Sequence, residues 1–369
     1  MPQSQRFLAL DVFRGMTICF MIIVNTPGSY ETTYAPLLHA DWHGFTPTDL
    51  VFPSFMFAVG NALSFAMLKW ASLPQSKVVW KILKRTILIF LLGYLLYWFP
   101  FFRLDSNNNI IAAPFSETRV LGVLQRIAIA YGIAALMIYY LKPKWVMIIT
   151  ILILIVYKFL LTGFGDLTLE GNAVLKLDKY LMGDKHLYHG EGIAFDPEGW
   201  LSTLPSIANV TLGYFVGRYI QVKGKTYETL THLLLAGVGL VAFAYFWDPS
   251  FPINKKLWTS SFVLYTVGLD CIILAAILYI IDFRRWTKWT YFFEVFGKNP
   301  LFIYLLSEVG VIILWMVPVG GIPLYSWVYQ NIFSHAGPYL GSLLFALSWM
   351  LICWLVGYWL DKRKIYVKV

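Results

Sequence analysis

Apolar residues fill residues 8–25 almost without a break, give way to a polar stretch, and resume at 48–68. The alternation continues along the chain and yields ten runs, at about 8–25, 48–68, 83–101, 120–141, 145–162, 201–221, 230–247, 257–281, 294–318 and 339–360. A helix of about 20 apolar residues crosses the ~30 Å hydrocarbon core of a bilayer. The runs are continuously apolar, not alternating, which excludes a water-filled β-barrel. The pattern predicts an all-α polytopic membrane protein with about ten transmembrane helices in a single domain, 1–369, and a loop at 163–200 within it. The ninth run opens among polar residues, and 319–338 has room for a re-entrant piece.

Composition agrees. The chain is 59% hydrophobic and 13% charged, with mean hydropathy +0.65, where a soluble domain carries about a quarter charged residues. The net charge of +9 would suit nucleic acid, but the basic residues sit in short inter-helix segments, where membrane topology explains them, so no nucleic-acid partner is expected. With the N-terminus inside, inner segments from Arg6 to Lys368 hold 18 Lys and Arg and outer segments hold 7. The positive-inside rule then places both termini in the cytoplasm, and residues 26–47 and 163–200 on the outer face. Cys19, Cys271 and Cys353 fall inside apolar runs and read as small core residues. The first run lacks a signal-peptide cleavage site. No internal repeat of the kind that marks many transporters stands out.

Charged groups at membrane depth are costly, so each is a functional candidate. Asp11 and Arg14, spaced i,i+3, pair on one helix face, either as a structural pair or with Arg14 also meeting an anionic cofactor. Arg126 in "RVLGVLQRIAIAYG" requires an acidic or anionic partner, for which Asp270 and Glu308 are candidates. Lys298 and Asn299 in "FGKNPLFIY" precede Pro300, a residue tolerated at a helix start, where backbone amides favour anions.

The densest polar cluster is "LLHADWHGFTPTDLVFPSFMF", residues 37–57. His39 and His43 have metal-like i,i+4 spacing, yet Gly44 and Pro47 break the helix and no third ligand is clearly placed, so no metal is expected. A histidine beside Asp41 or Asp49 makes an acid/base pair, because a neighbouring carboxylate fixes the imidazole tautomer and raises its basicity. Asp49 also suits a helix cap, with Thr46 ahead of Pro47. Asn25, ending the first run, could polarise a carbonyl. In "FDPEGWLSTLPSIANVTLG", Asp196 and Glu198 either complement a helix N-terminus or bind a cationic amine. Lys255 and Lys256 read as interface anchors.

Six stretches, "LDVFRGMTICFMIIVN", "HADWHGFTPTDLVFPSFMFAVG", "RVLGVLQRIAIAYG", "FDPEGWLSTLPSI", "PINKKLWTSSFVL" and "GKNPLFIY", together resemble the heparan-α-glucosaminide N-acetyltransferase family, from about residue 6 to residue 305. The resemblance implies a transmembrane enzyme that moves an acetyl group from cytoplasmic acetyl-CoA to the amine of a glucosamine-type sugar outside. His39 matches the active-site histidine of the family pattern "HAxWxGxTxxDLVFP", which selects it over His43. Asp49 matches the aspartate of that pattern and Asn25 the assisting asparagine, with a slightly longer spacing from Asn25 to His39. On this reading His39, Asn25 and Asp49 are catalytic. Arg14, Arg126, Lys298 and Asn299 meet the acetyl-CoA co-substrate, and Asp41, Trp42, His43, Asp196 and Glu198 meet the amino-sugar acceptor. Membrane lipid and a homodimer partner, as in the family, are further expectations, and the short loops suit a bacterial inner membrane. The rival reading is a transporter of a sugar or lipid-linked sugar without acyl chemistry.

Overall fold

Proline and polar breaks divide the apolar runs into helices in the computed structural model, which describes residues 7–104 and 109–367. Arg6 and Lys368, both used in the charge tally, lie outside the described residues. The helices are α1 (Leu8–Asn25), α2 (Val51–Trp70), α3 (Gln75–Trp98), α4 (Val123–Tyr140), α5 (Pro143–Phe164), α6 (Ala173–Met182), α7 (Trp200–Lys223), α8 (Tyr227–Trp247), α9 (Ser260–Leu278), α10 (Thr290–Lys298), α11 (Pro300–Met316), α12 (Leu324–Val328) and α13 (Pro338–Lys362). Sheet is confined to two small antiparallel pairs, β1 (Phe102–Leu104) with β2 (Ile110–Ala112) and β3 (Pro318–Val319) with β4 (Ile322–Pro323).

Among the described residues, seven helices are long and apolar enough to cross a membrane, or eight if α10 and α11 form one bent span. The ten expected runs all fall on helices, but α3 and α7 are outside that set. Lys77, Lys81, Lys84 and Arg85 occupy the first half of α3, and Ser202, Thr203, Ser206, Asn209 and Thr211 dilute α7. The expected ninth span breaks at Asn299, where α10 and α11 meet at 83°. Pro300 has no N–H to continue the α10 ladder, and its ring collides with the preceding turn, so it starts a new helix instead. The expected loop at 163–200 contains a helix of its own, α6, capped where Asn172 Oδ1 accepts the Leu175 N–H at 2.7 Å.

The chain divides into two compact units. The first holds α1, the start of α2, the end of α9 and α10–α13. In it α1 and α10 approach to backbone contact at two glycines. A Cβ on Gly15 would lie 1.9 Å from the Phe293 carbonyl oxygen, and one on Gly297 would lie 2.6 Å from the Asp11 carbonyl oxygen. Arg14 closes this crossing. Its guanidinium donates to the Gly297 carbonyl at 2.6 and 3.1 Å and to Asp11 at 3.1 Å. The α13 helix packs through Gly357 on Val295 and Ile303, and the Tyr325 hydroxyl donates to the Pro27 carbonyl at 2.6 Å.

The second unit holds α3–α8 with the remainder of α2 and α9, and also residues 41–45. Its α7 is the central element, buried against α2, α4 and α5. Several buried polar groups there are paired across elements. Thr150 and Thr211 share a hydrogen bond of 2.8 Å, Trp258 Nε1 donates to Asn209 at 3.0 Å, and Ser260 donates to the Leu154 carbonyl at 2.7 Å. A core of Tyr157, Leu161, Val174, Phe195, Phe251 and Leu257 joins α5 and α6 to the loops around them. The three cysteines are buried and free.

The α1–α10 crossing yields a stability prediction. Gly15→Leu should destabilise the fold by at least about 2 kcal/mol, because backbone, not a flexible side chain, blocks the new atoms. Gly163→Ala, at a position with open space around it, should change stability by no more than about 0.5 kcal/mol. Tryptophan-detected thermal unfolding in detergent reads both, and equal midpoints for the two variants would contradict the packing described.

Candidate functional site

The polar stretch between α1 and α2 is not helical through His39–His43, so the two histidines do not share a helix face. Pro47 opens a short 3-10 turn, Pro47–Leu50, that feeds α2. Thr46 and Asp49 form a reciprocal capping box, with the Thr46 N–H donating to Asp49 Oδ2 at 3.0 Å. Asp49, only 1% exposed, has further work. The Ala40 N–H donates to Oδ2 at 3.1 Å, and His39 Nδ1 lies 2.7 Å from Oδ1. The cap and the histidine partner are thus one carboxylate. With Nδ1–H donated to Asp49, Nε2 is the basic ring nitrogen. His39 itself is 44% exposed, so an incoming group can reach its ring.

Asn25 is the exposed last residue of α1. The Glu308 carboxyl of α11 is a neighbour of its side chain. Glu308 had been a candidate partner for Arg126; it belongs with Asn25 instead, in the unit that also contains His39. Two basic residues of this unit, Arg14 and Lys298, have structural partners. Arg14 is held by Asp11 and Gly297, as above. Lys298 pairs with Asp361 at 2.8 Å. Asn299 is fully buried and ties down the C-terminal segment, donating to the Ile365 carbonyl at 3.0 Å and accepting from the Val367 N–H at 2.8 Å.

Asp41, Trp42 and His43 belong to the second unit. Lys256 donates to the Asp41 carbonyl at 2.7 Å and pairs with Glu191. Trp42 donates to the Leu167 carbonyl at 2.7 Å and packs edge-on against Phe195. His43 Nδ1 lies 3.3 Å from the Asn254 amide. Burial lowers the His43 pKa, against the pull of Asp248.

Arg119, which sequence reading counted only as a loop charge, organises the acidic cluster. It grips Asp196 with two bonds of 2.7 and 2.8 Å and Glu198 with one of 2.6 Å, between the rings of Tyr97 and Tyr188 at 4.8 Å each. Burial opposes its charge, but Tyr97 and the two carboxylates outweigh that and raise its pKa. Burial also raises Asp196 despite Arg119. For Glu198 burial is outweighed by Arg119, Arg126 and Lys255, which hold it below the usual carboxylate range. Asp196 is fully buried, so its charge is already matched within the protein. A long-range grip of this kind leaves no local signal, because Arg119 and Asp196 are 77 residues apart.

Arg126, also fully buried, is not paired with Asp270. Its Nη2 donates to the Pro197 carbonyl at 2.6 Å and to the Ser202 hydroxyl, and its guanidinium lies 4.7 Å over the Trp258 ring. Its Nε and Nη1 have no hydrogen-bond partner among the described residues. Asp178 of α6 accepts the Trp200 N–H at 2.9 Å and so caps α7, the task expected of Asp196 or Glu198. Gly199 permits this, since a Cβ there would meet Asp178 Oδ2 at 1.8 Å. Burial pushes the Asp178 carboxyl up to about 7, with the Trp200 N–H and Arg126 opposing. No group of three or more His, Cys, Asp or Glu among the described residues is placed to hold a metal ion.

A family model described as heparan-alpha-glucosaminide N-acetyltransferase, catalytic, matches residues 6–244. That stretch includes Asn25, His39, Asp49 and the Arg119 cluster. The heparan-alpha-glucosaminide N-acetyltransferases of Mus musculus and Homo sapiens are each 27% identical to the chain, over alignments 428 and 425 positions long that cover 99% of it. The chain spans 61% and 60% of the length of these relatives.

Two outcomes follow for the second unit. Arg119→Ala strands two carboxylates and should cost about 3–5 kcal/mol, with Arg119→Lys intermediate because one ammonium cannot reproduce the forked grip. Denaturation midpoints in detergent measure this, and an unchanged Arg119→Ala midpoint would remove the clamp from the account. Asp178 binds its proton more tightly in the folded than in the unfolded chain. Its contribution is therefore most favourable below the ordinary value near 3.9 and declines as pH rises to about 7. Asp178→Asn should flatten the pH dependence of the unfolding midpoint between those values, and parallel wild-type and variant curves would contradict the assignment.

Proposed function

Because the chain belongs to the heparan-alpha-glucosaminide N-acetyltransferase catalytic family, we propose that it is a membrane-embedded N-acetyltransferase, with acetyl-CoA as donor and the amine of a glucosamine-type sugar as acceptor. The observation that carries the reading is the His39–Asp49 pair, at 2.7 Å, on a short segment that Asp49 itself locks in place. In a ternary complex, His39 Nε2 takes the proton from the acceptor amine as its nitrogen attacks the thioester carbonyl. Asp49 stabilises the imidazolium that forms, as a buried carboxylate does for a catalytic histidine. The Asn25 amide is the donor proposed for the oxyanion, with Glu308 holding that amide in orientation. Collapse of the tetrahedral intermediate releases the CoA thiolate, which takes the proton from His39. In the ping-pong alternative His39 Nε2 attacks the thioester and expels the CoA thiolate; the amine then attacks the acetyl-imidazole, regenerating His39 while the amine's proton passes to the departing ring nitrogen or to the thiolate.

Sidedness rests on the charge bias of the loops. Ten spans with both termini cytoplasmic, in a single acyltransferase domain, would leave CoA inside and the sugar outside a bacterial inner membrane. Arg14 and Lys298 would serve the CoA phosphates by exchanging their carboxylate partners, Asp11 and Asp361, for phosphate, with Asn299 next to Lys298 in the chain; Arg126 is proposed separately as a cation for the co-substrate. Asp41, Trp42 and His43, with Asp196 and Glu198, are proposed to shape the acceptor region, in a homodimer like those of the family.

Purified protein supplied with radiolabelled acetyl-CoA and glucosamine tests the reading. His39→Ala should lower transfer by about 10²–10⁴-fold, and Asp49→Asn should also lower it strongly, while His43→Ala keeps most of it. Label retained on the protein without acceptor selects the ping-pong route. Absence of transfer to any amino sugar, with no CoA binding, would defeat the enzyme reading and favour transport.

A further inference from the structure

A cavity of about 280 Å³ lies in the first unit, against one face of α1. Phe13, Met16, Phe20 and Val24 line it at helical spacing, so it follows the helix for eleven residues, about 16 Å. Phe20, 45% exposed, marks its open side. The lining is almost wholly apolar, and its hydroxyl residues are already engaged within the protein. Thr17 donates to the Arg14 carbonyl at 2.7 Å and Thr48 to the Pro36 carbonyl at 3.0 Å, and Ser54 is engaged as well. An amide-bearing pantetheine arm or a bare sugar would lose hydrogen bonds to water here without replacement. A hydrocarbon chain would lose none.

The position of the groove narrows the choice of hydrocarbon. Val24 adjoins Asn25, Thr48 adjoins Asp49, and Leu37 is two residues from His39. All three proposed catalytic residues thus have a near chain neighbour in the lining. A chain seated along α1 would carry its polar head to the His39–Asp49 end.

We propose that this groove holds the alkyl tail of the acceptor, so that the amine acetylated belongs to a lipid-anchored amino sugar. The proposal rests on the acetyltransferase reading and adds the class of its acceptor. No bond to the tail changes; the tail raises the local concentration of the amine at His39.

The test compares free glucosamine with methyl, octyl and dodecyl glucosaminides as acceptors, using purified protein, radiolabelled acetyl-CoA and one fixed detergent. KM should fall by at least about tenfold from the methyl to the dodecyl compound. Met16→Trp, which fills the groove, should collapse the dodecyl-to-methyl ratio of kcat/KM. Partition into micelles is the same for both proteins and cannot produce that collapse. Ile273→Trp, on the opposite wall, serves if Met16→Trp fails to fold. Equal constants across the series, with glucosamine still acetylated, would overturn the lipid-anchored acceptor and leave the enzyme reading intact. A chain-length gain unchanged in the filled variants would assign the groove to bulk lipid and overturn the proposal. No transfer to any acceptor would remove the enzyme reading and the acceptor with it.

Discussion

The Asp49 carboxylate is the constraint on which the first unit's polar segment depends. It is almost fully buried, a state that is costly unless its oxygens are satisfied. The backbone N–H of Ala40 and of Thr46, the Thr46 hydroxyl and His39 Nδ1 all meet it. Those bonds gather His39, Ala40 and Thr46 around one carboxylate, start the turn that leads into α2, and fix the imidazole tautomer. Helix initiation and histidine orientation are consequences of a single satisfied charge. A substitution at Asp49 therefore cannot be read as purely chemical; it acts on the cap as well.

The remaining buried charges obey the same rule by different means. Arg14 answers the carbonyl end of α10, Lys298 answers Asp361, and Arg119 answers two carboxylates together. Arg126 differs. It finds a carbonyl, a hydroxyl and an indole face, and two of its donors have no partner among the described residues. A buried guanidinium with spare donors is costly to keep. Its neighbour Asp178 shows the matching strain on the acidic side, with a raised proton affinity and an orphaned oxygen.

Much of the helical layout was legible because hydrophobic run length and proline placement act locally. Pro143, Pro300 and Pro338 each begin a helix, and the Thr46–Pro47–Asp49 cap was readable from three adjacent residue types. The bend at Asn299 was partly visible, since Pro300 was recognised as a helix start, but hydropathy merged the two helices into one run. The assignment of charges to partners was not legible. Arg126 was expected to meet Asp270 or Glu308 and meets Pro197, Ser202 and Trp258 instead. Arg119 was passed over, and the α7 cap was given to Asp196 or Glu198 when Asp178, from another helix, supplies it.

By itself the sequence determined a membrane-embedded helical protein and, through ordered motifs, its family and the histidine to examine. Those properties follow from periodicity, chain-neighbour chemistry and pattern, which need no knowledge of distant contacts. Only the tertiary structure decided which charge neutralises which, that Glu308 stands by Asn25, and that an apolar groove runs along α1. A burial cost is relieved by whichever donor or acceptor the packed backbone brings within about 3 Å, and that proximity is set by helix crossings such as Gly15 on Phe293, not by position along the chain.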